Sequence, residues 1–453
     1  MMATESRTAV ANALVERLTD AHARWDAPAL EGTSIFNLQQ DAFDKFIRQG
    51  IPTTRNEEWK YTPLDAFLKH DYTVANVSNY DVARYTHEIV KRVGVEDFKS
   101  HKLVFINGHF AKHLSEILPN EEGLDAVELS VALEREDKTV RDYFNQLAGT
   151  DDSLVNLNTG FAQHGLVITV KQGVVLSHPI HIINITDRNA NQPLVFYRNL
   201  FVIEPSAQAV IFNSTHSVGM QASMVNAVEE IVVRENALVD YVHLQDLHHD
   251  TDGGQTAALI NQTFVRCERD SRFNTYTLCV SGDLIRNNLT IRLAGQNAEA
   301  HLLGLYMPKG MELMDNHTLV DHAVPNCYSN ELYKGLVGGK SKAVFNGKIL
   351  VREDAQKTNA FQSNKNILLS NEAVVYTKPQ LEIFADDVKC SHGATSGQMD
   401  DESLFYLQSR GISKKAASQM LMLAFADDVI TNIKHTALRT HLSKAIAERL
   451  AQV

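Results

Sequence analysis

The sequence predicts a mainly β protein in which a stacked β core lies between two helical regions. Between about residues 103 and 383, short β-branched and aromatic runs such as 200–203 and 230–233 alternate with polar corners, as strands do. One type of corner recurs through this stretch, which indicates stacked rungs. Before and after it, apolar residues return at the four-residue period of helices.

The N-terminal part of the chain shows the first of these helical patterns. Val10, Leu14 and Leu18 recur every fourth residue, so one face of a helix would carry all three. A second helix is expected to end at Gly50. The polar and aromatic segment 55–63 fits neither the helical nor the strand period, and we interpret it as a structured surface loop.

The recurring corner of the central region places an alanine after one or two polar residues and shortly before a strand. A small side chain at the inside of a corner lets the backbone turn tightly, and rungs stack because one rung cannot bury its own apolar face. A β-sandwich is the alternative fold for this pattern. The spacing of the corner alanines is uneven, so loops are expected between rungs: Ala207, Ala237, Ala298, Ala355 and Ala373.

The C-terminal part returns to helix. Gly411 is a natural helix stop, Ser413 can cap the next helix, and a last helix carries leucine or isoleucine at every fourth residue from 438 to 450. These patterns divide the chain into an N-terminal helical region, a β core and a C-terminal helical domain, with expected bounds of 1–102, 103–398 and 399–453.

The bulk composition excludes several classes of function. The net charge of −12 offers no basic footprint for nucleic acid. The four cysteines show no Cys-x-x-Cys spacing, so neither a disulfide framework nor a self-contained zinc site is expected. The N-terminus has no apolar leader, and the chain has no run of roughly 18 apolar residues. We therefore expect a soluble, cytoplasmic protein that binds no nucleic acid and no membrane.

Cys390 and His392 are the candidate site residues. They are two residues apart, so an extended strand would place both side chains on one face, where they could bind one metal atom. A stable iron or iron–sulfur site needs about four donors, so further ligands would have to come from elsewhere in the fold or from another chain. The alternative is that Cys390 is a buried small apolar residue and His392 caps a turn.

The residues around this pair resemble the SufB/SufD family of iron–sulfur cluster assembly scaffolds. The resemblance runs through consecutive segments near the pair: 379–383 (PQLEI), 386–395 (DDVKCSHGAT), 404–407 (LFYL) and 409–412 (SRGI). Shorter segments elsewhere extend it over most of the chain: 57–61 (EEWKY), 105–108 (FING), 316–318 (NHT), His322, 333–335 (YKG) and 345–347 (FNG).

The resemblance implies a central right-handed parallel β-helix with helical regions at both ends. It also implies a non-catalytic scaffold subunit that pairs with a SufB-type paralogue and binds a SufC-type ATPase through its C-terminal helices. Such a complex would build and transfer nascent iron–sulfur clusters, with iron acquisition as one route. The resemblance leaves open whether the isolated chain forms a homodimer.

The resemblance also implies roles for the candidate pair. A histidine at the position of His392 is implicated in cluster assembly at the interface with the SufB-type partner, and Cys390 is its neighbour. The partner usually supplies a cysteine from the preceding rung, where this chain has the cysteine-free segment 371–373 (NEA), which favours the SufD-type branch. The expected cofactor is therefore a nascent iron–sulfur cluster or iron shared with the partner. Neutral imidazole can bind iron directly, whereas a thiol must first lose its proton, so His392 is the stronger candidate.

Other patterns suggest different chemistry. The segment 335–341 (GLVGGKS) resembles a phosphate-binding loop but has three residues, not four, before its Gly-Lys pair, so no nucleotide is expected to bind this chain. A β-helical carbohydrate-active enzyme is the alternative function, with carboxylates and basic residues along a groove. Two further groups could bind metal or simply line polar surfaces: His243, Asp246, His248, His249 and Asp250, and Asp315, His317 and His322.

Overall fold

The structure of the chain is a computed structural model, and its described residues begin with a helical region. Residues that it does not describe are 1, 25–29, 76–80, 96–97, 120, 150, 190, 249–255 and 452–453, together with the side chains of 2–9. The first elements are α1 Met2–Ala23, α2 Ser34–Gln49, α3 Asp65–Leu68, β1 Thr73–Val74 and α4 His87–Val93.

Helix α2 shows why the sequence forms helices here. The Thr33 hydroxyl caps its N-terminus by accepting a hydrogen bond from the Phe36 N–H. Gly50 ends it with a φ of 69°, a left-handed conformation that glycine adopts without steric cost, which confirms the expected stop. Phe43 and Phe46 lie on its buried face.

A short mixed segment leads into the core. Its elements are β2 His101–Ile106, β3 His109–Phe110, β4 Leu124–Glu128, α5 Leu129–Glu134, α6 Lys138–Tyr143 and α7 Ser153–Gly160. Helices α5 to α7 interrupt the stretch whose texture we interpreted as strands. They were missed because each is short, with fewer than three turns in which to show a period.

The remaining core consists of strands that alternate between two sheets. They are β5 Leu166–Val170, β6 Ile180–Asp187, β7 Pro193–Ile203, β8 Gln208–Val218, β9 Ser223–Val233, β10 Leu238–Asp246, β11 Ala257–Cys267, β12 Arg272–Ser281, β13 Leu284–Leu293, β14 Glu299–Tyr306, β15 Leu313–His322, β16 Tyr328–Val337, β17 Lys342–Val351, β18 Thr358–Leu368, β19 Val374–Ile383 and β20 Val388–Gly397. From β5 onward, odd-numbered strands build the first sheet and even-numbered strands the second, and neighbours within each sheet are parallel. Strands two apart in sequence therefore stack in register, which confirms the β-solenoid and excludes the sandwich.

The corner alanines lie where the repeat predicts, on the inside of turns between strands. Ala207, Ala237 and Ala298 are buried, and each follows a residue in the left-handed conformation, with φ of 61°, 55° and 60°. Asparagine adopts this conformation more readily than most residues, which explains the polar residue before two of these alanines. Ser271 and Cys327 occupy the same corner position after Asp270 and Asn326, so the repeat is more regular than the alanines alone suggest.

Helices cover the outer faces of both sheets. The N-terminal helices pack on the first sheet, where Leu18 and Phe46 join the same cluster as Phe196 and Ile260. The inner faces form a continuous core along the solenoid axis. Strands such as β9 are therefore buried along their whole length, as is usual for parallel sheets covered on both faces.

The C-terminal helices are α8 Asp401–Ser409, α9 Lys414–Ile430 and α10 Thr436–Ala451. The Ser413 hydroxyl caps α9 and Gly411 has a φ of 86°, which confirms both signals. Helices α9 and α10 pack on the outer face of the second sheet. None of the helices in the described ranges is both long and apolar enough to cross a membrane. The three-way division at 102 and 398 stays a prediction.

Candidate functional site

The last rung leaves one end of the solenoid open. β19 and β20 are the terminal strands of the two sheets, and within the described chain each pairs with a neighbouring strand on one side only. The interior-facing residues of β18 are buried, whereas their register partners on β20 are mostly exposed. Such an edge offers unpaired N–H and C=O groups to another chain.

Cys390 and His392 both lie on β20 and face the interior side of this open rung. Cys390 is the register partner of Ala360 and packs in the same apolar cluster as Ala385. His392 is the register partner of Gln362, whose side chain is buried inside the solenoid. The two-residue spacing therefore places both side chains on one face, as expected for a strand. Their role in metal binding stays a prediction.

The two side chains differ in accessibility. His392 is exposed, whereas Cys390 is half-buried. Burial raises the pKa of the Cys390 thiol, against an opposing effect of a hydrogen bond with the Ala360 backbone. Cys390 therefore remains a thiol at neutral pH in the free chain, and a metal or a neighbouring cation would have to displace its proton.

A polar column continues from His392 into the solenoid. Glu331, Gln362 and His392 are successive register partners on β16, β18 and β20. The Gln362 Nε2–H donates to Glu331 Oε2 over 2.7 Å. Burial raises the pKa of Glu331 to about 7. No motif in the sequence pointed to Glu331 or Gln362, because their meeting depends on a register between strands that the sequence does not reveal.

The other cysteines do not contribute to this site. Cys267, Cys279 and Cys327 are buried free thiols within the solenoid core. Burial raises their pKa to about 12, about 12 and about 11, so they stay protonated and behave as small apolar residues. Cys390 is the more exposed thiol.

The first alternative metal group is not brought together among its described members. His243 lies in the solenoid interior beside Gln245, and burial lowers its pKa to about 3. Asp246 accepts a hydrogen bond from Ser281, and His248 pairs with Asp283. His249 and Asp250 lie outside the described residues.

The second alternative group is divided between the two faces of β15. His322 is buried on the inner side and bonds Ser329 over 2.9 Å. Asp315 and His317 face outward beneath the segment 55–63, with 3.0 Å between His317 Nε2 and Asp315 Oδ1. The three residues therefore cannot bind one metal ion.

Asp315 and His317 fix the loop 55–63 of the N-terminal region on the first sheet. Arg286 donates to Asp315 Oδ2 over 2.5 Å and lies 3.9 Å from the Trp59 ring centroid. His317 Nδ1 lies 3.1 Å from Glu58 Oε2. Burial opposes ionisation, but Arg286 and His317 together lower the pKa of Asp315 to about 2. The loop is thus structured, as predicted, and its motif residues have a structural role.

A cluster of metal-ligand type lies at the other end of the core. His101, Glu121 and His178 place one donor atom each within 4.8 Å of one another. The Leu118 N–H donates to His101 Nδ1, however, so the proton of the neutral ring is on Nε2, which faces Glu121 over 3.3 Å. The Ser177 N–H completes the carboxylate's bonds. His178 Nδ1 lies 3.3 Å from the same carboxylate, so hydrogen bonds tie the loop at Glu121 to the first rungs.

The fold and its open end define a class of protein: a parallel β-solenoid whose last rung, uncovered within the described chain, carries a histidine and a cysteine on its interior side. Residues 184–425 match the family model described as the SUF system FeS cluster assembly SufBD core domain, and residues 29–182 match that of the SufBD protein N-terminal region. The chain belongs to the SufBD family and therefore has a role in iron–sulfur cluster assembly. This membership removes the carbohydrate-active alternative.

Relatives in three bacteria match nearly the whole chain. The iron–sulfur cluster assembly protein SufD of Escherichia coli is 30% identical over 427 residues, covering 93% of this chain and 94% of the relative. An iron–sulfur cluster assembly SufBD family protein of Synechocystis is 30% identical, covering 92% of each chain. SufD of Bacillus subtilis is 24% identical, covering 91% of this chain and 93% of the relative.

Proposed function

We propose that the chain is a non-catalytic cytoplasmic scaffold subunit that contributes His392, with Cys390 beside it, to an iron or iron–sulfur site completed by a SufB-type paralogue. The observation that supports this most is the pair's position: both residues face the interior side of a rung that nothing in the described chain covers. An iron atom in such a site takes about four ligands, so two donors from this chain leave about two ligand positions for the partner or for sulfide. The site would hold a nascent cluster or iron as cargo.

The proposed docking surface for the paralogue is the edge formed by β19 and β20. Large apolar side chains are exposed near it, among them Phe384 at 64% and Ile383 at 38%. Solvent-exposed apolar groups beside unpaired edges are stabilised when another sheet covers them. A paralogue with the same solenoid would present a matching rung. A second copy of this chain is the competing occupant.

The proposed docking surface for a SufC-type ATPase is helix α8 with the adjoining face of α9. In α8 every residue is at least partly exposed, and Phe405 is 73% exposed and Tyr406 56% exposed. This chain's own segment 335–341 spans the end of β16 and a turn before β17, so it lacks the following helix whose N-terminus would bind phosphate. ATP chemistry is therefore assigned to the partner.

Two single substitutions test the two surfaces against each other. Co-purification of the tagged full chain with a SufB-type and a SufC-type protein is expected to yield one complex. Phe384→Asp should release the paralogue and retain the ATPase, whereas Phe405→Asp should do the reverse. Each variant is the control for the other. The assignment is contradicted if either variant loses both partners, or if both variants retain both partners.

Point substitutions are preferable to removing the C-terminal helices. Deletion beyond Asp400 would expose the outer face of the second sheet, where Leu305 and Leu336 pack with Val429 and Leu442. The variant would then lose stability as well as a docking surface. The exposed rings of α8 contribute little to this packing.

A further inference from the structure

Gln362 is the buried residue closest in register to His392, and its amide has a fixed direction. Its side chain is 4% exposed, and Nε2–H donates to Glu331 Oε2 over 2.7 Å. The Glu331 oxygen in this bond accepts the proton of the N–H, so it selects the NH₂ end of the amide whether or not the other carboxyl oxygen is protonated. The carbonyl oxygen Oε1 is consequently directed away from this bond.

That carbonyl oxygen is buried and has no hydrogen-bond partner among the described residues. A buried polar atom without a partner destabilises the folded chain, so its presence calls for an explanation. The next strand above is β20, where the register partner of Gln362 is His392. Neighbouring strands are about 4.8 Å apart, which lets an imidazole N–H on one strand reach an amide oxygen on the next.

Gly347 supplies the space that Gln362 occupies. A Cβ atom at this position of β17 would lie 2.2 Å from Gln362 Nε2. Any other residue would therefore displace the amide. The glycine of the 345–347 segment thus has a specific effect, which is to allow a glutamine side chain across the interior one rung below the open end.

We propose that Gln362 is a positioning residue for His392, and that Glu331 orients Gln362. When a partner covers the last rung, one ring N–H of His392 donates to Gln362 Oε1, and the other ring nitrogen then faces outward as the iron ligand. Histidines that bind metal are usually held in this way by an acceptor on the second nitrogen, which fixes the tautomer and the ring orientation. This proposal rests on the proposed function.

The test is pulsed EPR of the dithionite-reduced cluster in the anaerobically purified complex. The quadrupole coupling of the remote ring nitrogen of a ligating histidine reports the hydrogen bond at that nitrogen. Gln362→Leu should change this coupling and should lower by about tenfold the ferrous-chelator concentration that removes half of the iron. Gly347→Ala, which leaves Gln362 in the chain but displaces it, should produce the same changes. Ser363→Ala, which alters the neighbouring outward-facing residue, should produce neither.

The outcomes separate the two proposals. A histidine coupling that disappears in His392→Ala but is unchanged in both Gln362→Leu and Gly347→Ala overturns the role of Gln362 and leaves the proposed site intact. A complex with no histidine coupling, or one that persists in His392→Ala, overturns the site itself and the positioning with it. Changes in both variants but not in Ser363→Ala support the proposal.

Discussion

Glu331 should destabilise the folded chain at neutral and alkaline pH, so replacing it by glutamine should stabilise the protein there. Glu331 is 2% exposed and lies inside the solenoid, and Lys334 on the same strand pairs with Asp428 rather than with this carboxyl. Gln362 Nε2 and the hydroxyl of Thr318 interact with it, but they do not offset the desolvation. Tyr333 on the same strand is a further titratable group beside it.

The size of the effect follows from linkage. Burial raises the pKa of Glu331 from 4.5 to about 7, a difference that corresponds to about 3 kcal/mol. Because the folded-state pKa is raised, the folded chain keeps a proton that the unfolded chain releases. The stability that the protonated Glu331 gives the folded chain is fully present below pH 4.5 and is lost as pH rises through about 7. Glutamine has the same shape and no charge to bury.

Urea unfolding of wild type and Glu331→Gln at pH 5 and pH 8 measures this directly. The variant should be more stable at pH 8 by up to about 3 kcal/mol, and the difference should shrink toward pH 5. The matched control is Glu230→Gln. Glu230 is equally buried but pairs with Arg198 over 2.7 Å. Its replacement leaves the buried charge of Arg198 without a partner and should lower the free energy of unfolding by about 3–5 kcal/mol. A Glu331→Gln variant that is less stable than wild type at pH 8, or whose difference does not vary with pH, refutes the reasoning.

Three further predictions concern the loop, the C-terminal helices and the thiol. Asp315→Asn leaves the charge of Arg286 without a partner and should lower the free energy of unfolding, measured in urea, by about 3–5 kcal/mol. The wild type should lose this contribution as pH falls from 3.8 through about 2. An equally steep loss of stability in the variant over this pH range would contradict this. Lys334 donates to the Phe425 carbonyl over 2.8 Å. Lys334→Met should therefore lower the free energy of unfolding by about 1–3 kcal/mol and speed amide hydrogen exchange in α9. Unchanged exchange would show that this bond does not hold the helix. Cys390→Ala should lower cluster content less than His392→Ala does, since its thiol is half-buried and protonated; a larger loss would make Cys390 the principal ligand.

The features that the sequence predicted correctly are mostly local ones. The corner alanines, Gly50 and the Ser413 cap each act through their own backbone conformation or that of their neighbours, so the pattern is visible in one short window. The common face of Cys390 and His392 follows from the two-residue period of any strand. Helices α5 to α7 were missed because their burial against the solenoid, rather than their period, stabilises them.

The features that the sequence could not reveal are those that depend on register. Glu331 and Gln362 are 31 residues apart, and they meet because β16 and β18 stack with one particular alignment. Likewise, nothing near Asp315 in sequence shows that the loop holding Trp59 packs over it. Register is set by the accumulated lengths of turns and strands, which no single motif encodes.

The central claim is that His392 at the open end of the solenoid is a ligand shared with a partner chain. The most direct measurement is the iron and acid-labile sulfide content of the complex purified anaerobically with His392→Ala in place of wild type, after the complex has been shown to retain its stoichiometry. The expected result is an intact complex that has lost most of its iron and sulfide. An intact complex with undiminished iron and sulfide would contradict the claim.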